Sequence, residues 1–441
     1  MITKPRDPGR YMTLRASLPF VAFVVWLLSV PMEGFLLAHL GLDNAILFFL
    51  IPHIGTLAFI GTVFPRRMLS LVAVVGGIAA MISTVLIAHS PPGAHWFLAI
   101  AGVGSSFVCV KAGIILKRSP CVAMSAAIGL AAANVLLFVF MIVPVPHSVK
   151  FPAAAALLLV PTLARTGAQD EADGESNLAP FLPFVFVFQI VSGLMYGALY
   201  QEYAEAAFLP GIELAFYVVA VLAGLMFLRR RREGLLALAI VMAMFAFSLV
   251  LIDGPASVNV ALFAMQVAAG FLDLYLLALL LAQRNSCRAF GIGLAVTCAG
   301  IAAGKTASLL IGDASQLVVA VANLVLTSSV LVLYLVMRGE QHLDVAAIPA
   351  MGGMAVQAEA EAGNAEPSFE LMLPPGLRKR FSDQEKSVLA CVVRGMTFRE
   401  AAQELGISES SVKTYMKRVY DKMNVSGKEE LLAKLGTDQE G

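Results

Sequence analysis

The chain has 441 residues, of which 59% are hydrophobic and only 14% charged. Soluble domains carry about 25% charged residues, so this composition excludes a chain that is solvated by water throughout. The net charge of +1 points to no partner, because the charges are segregated along the chain. The five cysteines, at 109, 121, 287, 298 and 391, show no C-x-x-C spacing. They read as small buried hydrophobes and suggest neither a disulfide framework nor a metal site.

The N-terminus is short and basic and leads into an apolar stretch from Ser17 to Leu37. That stretch is too long for a signal peptide and lacks a small-residue cleavage site, so it reads as a first membrane span. Further apolar runs lie near 44–64, 68–89, 95–116, 120–143 and 149–164. A polar loop at 165–177 interrupts the series, which resumes near 178–200, 210–228, 234–252, 257–282, 289–311 and 314–337. Each run can cross a hydrocarbon core of about 30 Å. The expectation is an all-α, twelve-helix polytopic domain over residues 1–338, arranged six plus six.

Basic residues set the orientation. Lys4, Arg6, Arg10 and Arg15, then Arg66 and Arg67, Lys117 and Arg118, Arg165, Arg229 to Arg232, Arg284 and Arg288, and Arg338 fall on alternate loops. The opposite loops hold only Lys150. Both termini are therefore expected in the cytoplasm, with the chain in a bacterial inner membrane.

Six plus six spans around a central loop resemble the major facilitator fold. The segment GTVFPRRM (61–68) keeps that family's glycine and basic residues as Gly61, Arg66 and Arg67. Pro65 stands where the family has an acid that helps to gate transport, and this departure speaks against transport. A sensor of the same architecture would not need the acid.

Charges at membrane depth are costly, and are paired or functional where they occur. Glu33, Asp273 and Lys305 are the candidates for ligand contact or an intramembrane ion pair. Lys111 is expected to snorkel to the interface. His53, Asn134, Gln189, Gln266 and Asn323 are expected to hydrogen-bond between helices, and Gly76, Gly77, Gly102 and Gly104 to mark close packing. No nucleophile motif, P-loop, dinucleotide fingerprint or phosphate-receiver pattern is present, so neither an enzyme nor a cofactor is expected.

Residues 339–376 contain six acidic residues and no lysine or arginine. This composition reads as a flexible acidic linker spanning roughly 30–35 Å root-mean-square.

Residues 377–441 change character. Ser382 with Glu385, Thr397 with Glu400, and Ser426 with Glu429 are three capping boxes, each opening a short helix. Gly395, Gly406 and Gly436 follow helix ends. Ser408 caps another helix, in which Val412, Met416, Val419 and Met423 form one buried stripe. Its outer side carries Ser410, Lys413, Thr414, Lys417 and Arg418. A short helix, a glycine turn and a second helix with a basic, hydroxyl-bearing face make a helix-turn-helix suited to the DNA major groove.

The segment resembles the LuxR-type DNA-binding domain. The matching residues are Glu385, Val388, Leu389, Gly395, Glu400, Ala402, Leu405, then ISESSVKTY from Ile407 and KMNV from Lys422. The resemblance implies a four-helix domain that reads double-stranded DNA through Lys413, Thr414 and Lys417, with Thr397 and Ser411 on phosphates. Tyr415 replaces the family's usual histidine, and Gln384 replaces an arginine. The last helix, with Leu431, Leu432 and Leu435, is the expected face of a homodimer on DNA. The whole reads as a membrane-integral, one-component transcription regulator whose membrane domain senses a small-molecule ligand. The alternatives are a major-facilitator-type transporter with a regulatory DNA-binding tail, and a tail that binds another protein.

Overall fold

The computed structural model describes residues 8–32, 34–42, 45–90, 93–165, 178–230, 232–249, 251–252, 254–311, 315–340, 381–393, 396–405, 409–423, 425, 427 and 430–431. The chain divides into two compact units, Met1–Met354 and Ala355–Gly441. No strand occurs among the described residues.

The first unit is a bundle of α1 (Pro8–Ser29), α2 (Phe35–His39), α3 (Ile46–Thr62), α4 (Arg66–His89), α5 (Ala94–Lys117), α6 (Val122–Ile142), α7 (His147–Leu157), α8 (Leu159–Leu163), α9 (Leu182–Ala206), α10 (Glu213–Arg230), α11 (Arg232–Leu249), α12 (Pro255–Ala282), α13 (Ser286–Ile311) and α14 (Ser315–Glu340). Among the described residues five of these, α4, α5, α6, α12 and α13, are long and apolar enough to cross a membrane. Shorter apolar helices occupy Arg15–Ser29, Ile46–Thr62, His147–Leu163, Leu182–Met195, Glu213–Leu228, Gly234–Leu249 and Leu317–Val330.

The outward faces are apolar. On α4, Leu71, Val75, Ile78 and Ile82 are exposed at i, i+4, i+7 and i+11, while Leu69, Ala73, Gly76, Gly77 and Ala80 are buried. A continuous apolar outer stripe suits acyl chains and not water.

Two expected spans are broken, each within a few residues of a proline. The stretch from Ser17 to Leu37 is not one helix: α1 ends at Ser29 and α2 begins at Phe35. Pro31 disfavours helical geometry at Val30, the residue before it. The sixth run is split at Leu158 into α7 and α8. Pro161 has no N–H for the Leu157 carbonyl, which removes one helical hydrogen bond at the break.

Small residues let the helices approach. A Cβ added to Gly104 on α5 would lie 2.3 Å from the Gly76 carbonyl oxygen on α4. One added to Gly304 on α13 would lie 2.0 Å from the Ile190 carbonyl oxygen on α9. Without a water-driven hydrophobic term between helices in lipid, such backbone contact supplies the packing energy. Trp26 adds a polar tie, donating its indole N–H to Thr84 Oγ1 on α4 at 3.0 Å.

The second unit contains α15 (Asp383–Val393), α16 (Phe398–Glu404) and α17 (Glu409–Met423). One core joins Val388, Leu389, Cys391 and Val392 of α15, Ala401 and Ala402 of α16, and Val412, Met416, Val419 and Met423 of α17. Phe381 and Leu431 close its ends. Gly395, Gly406, Ser426, Leu432, Leu435 and residues 341–376 lie outside the described residues, and so does most of the expected fourth helix.

All five cysteines are free thiols. Cys287 and Cys391 are buried as expected, whereas Cys121 is exposed and Cys109 and Cys298 are half-buried.

Candidate nucleic-acid interface and intramembrane polar sites

The expected capping boxes form at the starts of α15 and α16. The Ser382 N–H donates to Glu385 Oε2 at 2.8 Å, and the Glu385 N–H returns to Ser382 Oγ at 3.4 Å. The Thr397 N–H donates to Glu400 Oε2 at 2.8 Å, and the Glu400 N–H to Thr397 Oγ1 at 3.3 Å. Each box satisfies backbone donors that a helix start leaves without partners.

Glu385 does more than cap. Its Oε2 also accepts from Lys422 Nζ at 2.6 Å, which ties the start of α15 to the end of α17. Burial pushes the Glu385 carboxyl up. The Lys422 ammonium and the Ser382 hydrogen bonds outweigh this and hold it below the usual carboxylate range.

On α17 the structure separates two faces. Val412, Met416, Val419 and Met423 are buried. Ser410, Lys413, Thr414, Lys417 and Arg418 are exposed, and Ser411 is half-buried. Thr397 is exposed at the start of α16, its hydroxyl donating to Glu400 Oε2 at 2.9 Å. Ser408 lies outside the described residues.

The exposed face is locally ordered. Lys413 Nζ pairs with Glu409 Oε1 at 2.8 Å across one helical turn. The Thr414 hydroxyl donates to the Ser410 carbonyl at 2.9 Å, which turns its donor inward and leaves its methyl group and lone pairs for a partner. The Arg418 guanidinium lies 6.0 Å from the Tyr415 ring centroid. The Glu409–Lys413 pair and the Tyr415–Arg418 contact were not expected from sequence, although the i, i+4 spacing of Glu409 and Lys413 could have shown the first.

Inside the bundle, Asp273 of α12 accepts a hydrogen bond from the Tyr217 hydroxyl of α10 at 2.9 Å. Tyr217 was missed from sequence, since a tyrosine in an apolar run carries no special pattern. So was Glu213, which is buried one turn before it. Lys305 is buried on α13, and its backbone nitrogen approaches Gly193 of α9. Glu33 lies outside the described residues.

Lys111 does not snorkel. It is buried on α5 and donates to the Thr162 carbonyl at 2.7 Å, near the end of α8. The split helix offers a carbonyl there, and the ammonium takes it. Lys150 is also buried, donating to the Met141 carbonyl at 3.0 Å beside the rings of Phe35 and Phe140. His53 meets the α5 backbone as expected, its Nδ1 lying 2.9 Å from the Gly102 carbonyl and 2.8 Å from Ser106 Oγ. Among the described residues no group of acidic, histidine and cysteine side chains could hold a metal ion.

Residues 379–435 match the family described as "Bacterial regulatory proteins, luxR family". No curated protein sequence matches the chain. Solved structures resemble the first unit at low identity. The E. coli fucose:proton symporter matches at a TM-score of 0.51 and 14% identity, over 76% of this chain and 99% of that one. The human organic anion transporter MFSD10 matches at 0.52 and 12% identity, over 75% of this chain and 100% of that one. A bacterial homologue of the iron transporter ferroportin, in an outward-facing state, matches at 0.53 and 14% identity, over 76% and 100%. The C-terminal unit is therefore a LuxR-type helix-turn-helix domain, joined to a membrane-type helical bundle with the fold of major facilitator transporters.

Proposed function

We propose that the chain is a membrane-integral, one-component transcription regulator. Residues 1–338 cross a bacterial inner membrane twelve times through the five long helices and the seven shorter apolar ones. Residues 339–376 tether a cytoplasmic DNA-binding domain at 377–441. The bundle senses a small-molecule ligand, and the tail binds double-stranded DNA as a homodimer.

The observation that carries this reading is the exposed face of α17, where Ser410, Lys413, Thr414, Lys417 and Arg418 stand opposite the buried stripe. It belongs to a segment that matches a DNA-binding regulator family and shares its chain with an apolar bundle. A tail serving only as a protein-docking module would have no need of lysines one turn apart on a groove-sized helix.

The test is direct. Full-length protein in lipid nanodiscs is mixed with fragments of the host genome, and bound fragments are sequenced. Enrichment of a common site is the expected result. Recovery no better than from empty nanodiscs would overturn it.

The fold likeness to transporters supports a second reading, in which the bundle also moves its ligand. Uptake of labelled candidate substrates into proteoliposomes separates the two, and accumulation above protein-free vesicles would favour the transporter.

A further inference from the structure

We infer that Glu409 is a specificity-determining residue, and that the Glu409–Lys413 pair reads one G·C base pair in the major groove. The inference rests on the proposed role of α17 as the reading helix. Both side chains are exposed, Lys413 at 60% and Glu409 at 46%, and their charged ends meet at 2.8 Å. They sit in the first two turns of α17, the part of a recognition helix that meets base edges.

The chemistry singles out one base pair. A lysine ammonium has three donors and no acceptor, and a carboxylate has acceptors only. Side by side, they offer two adjacent donors followed by an acceptor. In the major groove a G·C pair presents N7 and O6 as adjacent acceptors and the cytosine N4 amino group as a donor. An A·T pair presents N7 as acceptor, N6 as donor and O4 as acceptor, so the second lysine donor there faces another donor. The Watson–Crick partners O6 and N4 lie about one hydrogen-bond length apart, near 2.9 Å. That matches the 2.8 Å between the Glu409 and Lys413 heads. Lys413 alone would donate to any acceptor on a base edge, whereas Glu409 adds an acceptor that disfavours every base pair lacking a donor beside that edge.

Glu409 also tempers indiscriminate binding. It holds the Lys413 ammonium while the helix is free of DNA, and its charge repels the phosphate backbone. Removing it should therefore tighten binding to random duplex while flattening sequence preference. A surface pair kept only for helix stability would leave the sequence preference unchanged.

The experiment uses the full-length protein in nanodiscs and a randomised duplex library, with wild type, Glu409→Ala and Glu409→Gln selected in parallel. The wild-type motif should contain a G·C pair whose preference falls about tenfold in Glu409→Ala. Preference at the other positions should hold, and affinity for a random-sequence duplex should rise. Glu409→Gln keeps the shape and one acceptor oxygen but loses the ion pair, and should fall between the two. It decides the matter if Glu409→Ala fails to fold. A motif unchanged at every position in the variants overturns the inference. A wild-type protein that enriches no sequence instead overturns DNA reading itself, which is a separate failure.

Discussion

Lys413 and Lys417 stand one turn apart on the exposed side of α17, and their chemistry allows two different uses. A lysine on a guanine edge carries sequence information, whereas one on a phosphate carries charge alone. Lys413→Ala and Lys417→Ala are each expected to cost about 1–3 kcal/mol of operator affinity if bound to a base. A phosphate contact would instead weaken all sequences alike and lower the salt slope by about 1. Titrating both variants on operator and random duplex at several salt concentrations distinguishes these outcomes. Glu385 gives a different residue-scale prediction. Its folded carboxyl sits below its ordinary range, so the stability it contributes is present above that range. That stability is lost as the pH falls through the lower, folded value. Glu385→Gln should destabilise the tail at neutral pH by about 1–3 kcal/mol, because Lys422 and Ser382 lose a charged acceptor. The gap from wild type should close on acidification. Hydrogen exchange of α15 amides, corrected for intrinsic rates at each pH, measures it.

At the scale of elements, helix contacts in the bundle depend on glycine. The Gly76 and Gly104 backbones touch, so Gly104→Val must push α4 and α5 apart. Overpacking of this kind costs about 1–3 kcal/mol. Gly55 on α3 has nothing within 4 Å of an added Cβ, so Gly55→Ala should be neutral or slightly stabilising. Melting temperatures in detergent should fall for the first variant and hold for the second. The glycines were legible in the sequence because small residues in apolar helices have one common use. The tail's core was legible for a related reason, since Val412, Met416, Val419 and Met423 repeat at helical spacing and capping boxes mark the starts of α15 and α16. The breaks at Pro31 and Leu158 were not, because run length on a hydropathy scale ignores which carbonyls lack a donor. Lys111 was misread on the same ground. Its partner, the Thr162 carbonyl, is a backbone atom 51 residues away, and no side-chain pattern announces it. Tyr217 and Asp273 show the same limit, being hydrogen-bonded across 56 residues of chain with no sequence pattern to pair them.

In the proposed regulator the bundle senses in one solvent and the tail reads in another, and the acidic composition of the segment between them bears on how the two are coupled. Residues 339–376 carry glutamates and aspartate without a single lysine or arginine. Such a composition is repelled by DNA and by anionic headgroups, so the segment itself competes with the tail for neither surface. One helix-turn-helix makes few base contacts, and useful specificity comes from two half-sites read together. A flexible chain as long as the proposed tether would span roughly 30–35 Å, close to the separation of half-sites one helical turn apart. A signal that brings two bundles together, or changes their spacing, therefore acts by raising the effective concentration of one tail near another. It need not rotate either tail. Replacing residues 341–376 with a Gly/Ser segment of equal length should then preserve the regulated response in a reporter strain. Lengthening it fourfold should weaken the response about eightfold, since effective concentration falls roughly as the −3/2 power of length. Loss of response in the equal-length chimera, at unchanged protein level and operator affinity, would show that these residues transmit the signal themselves.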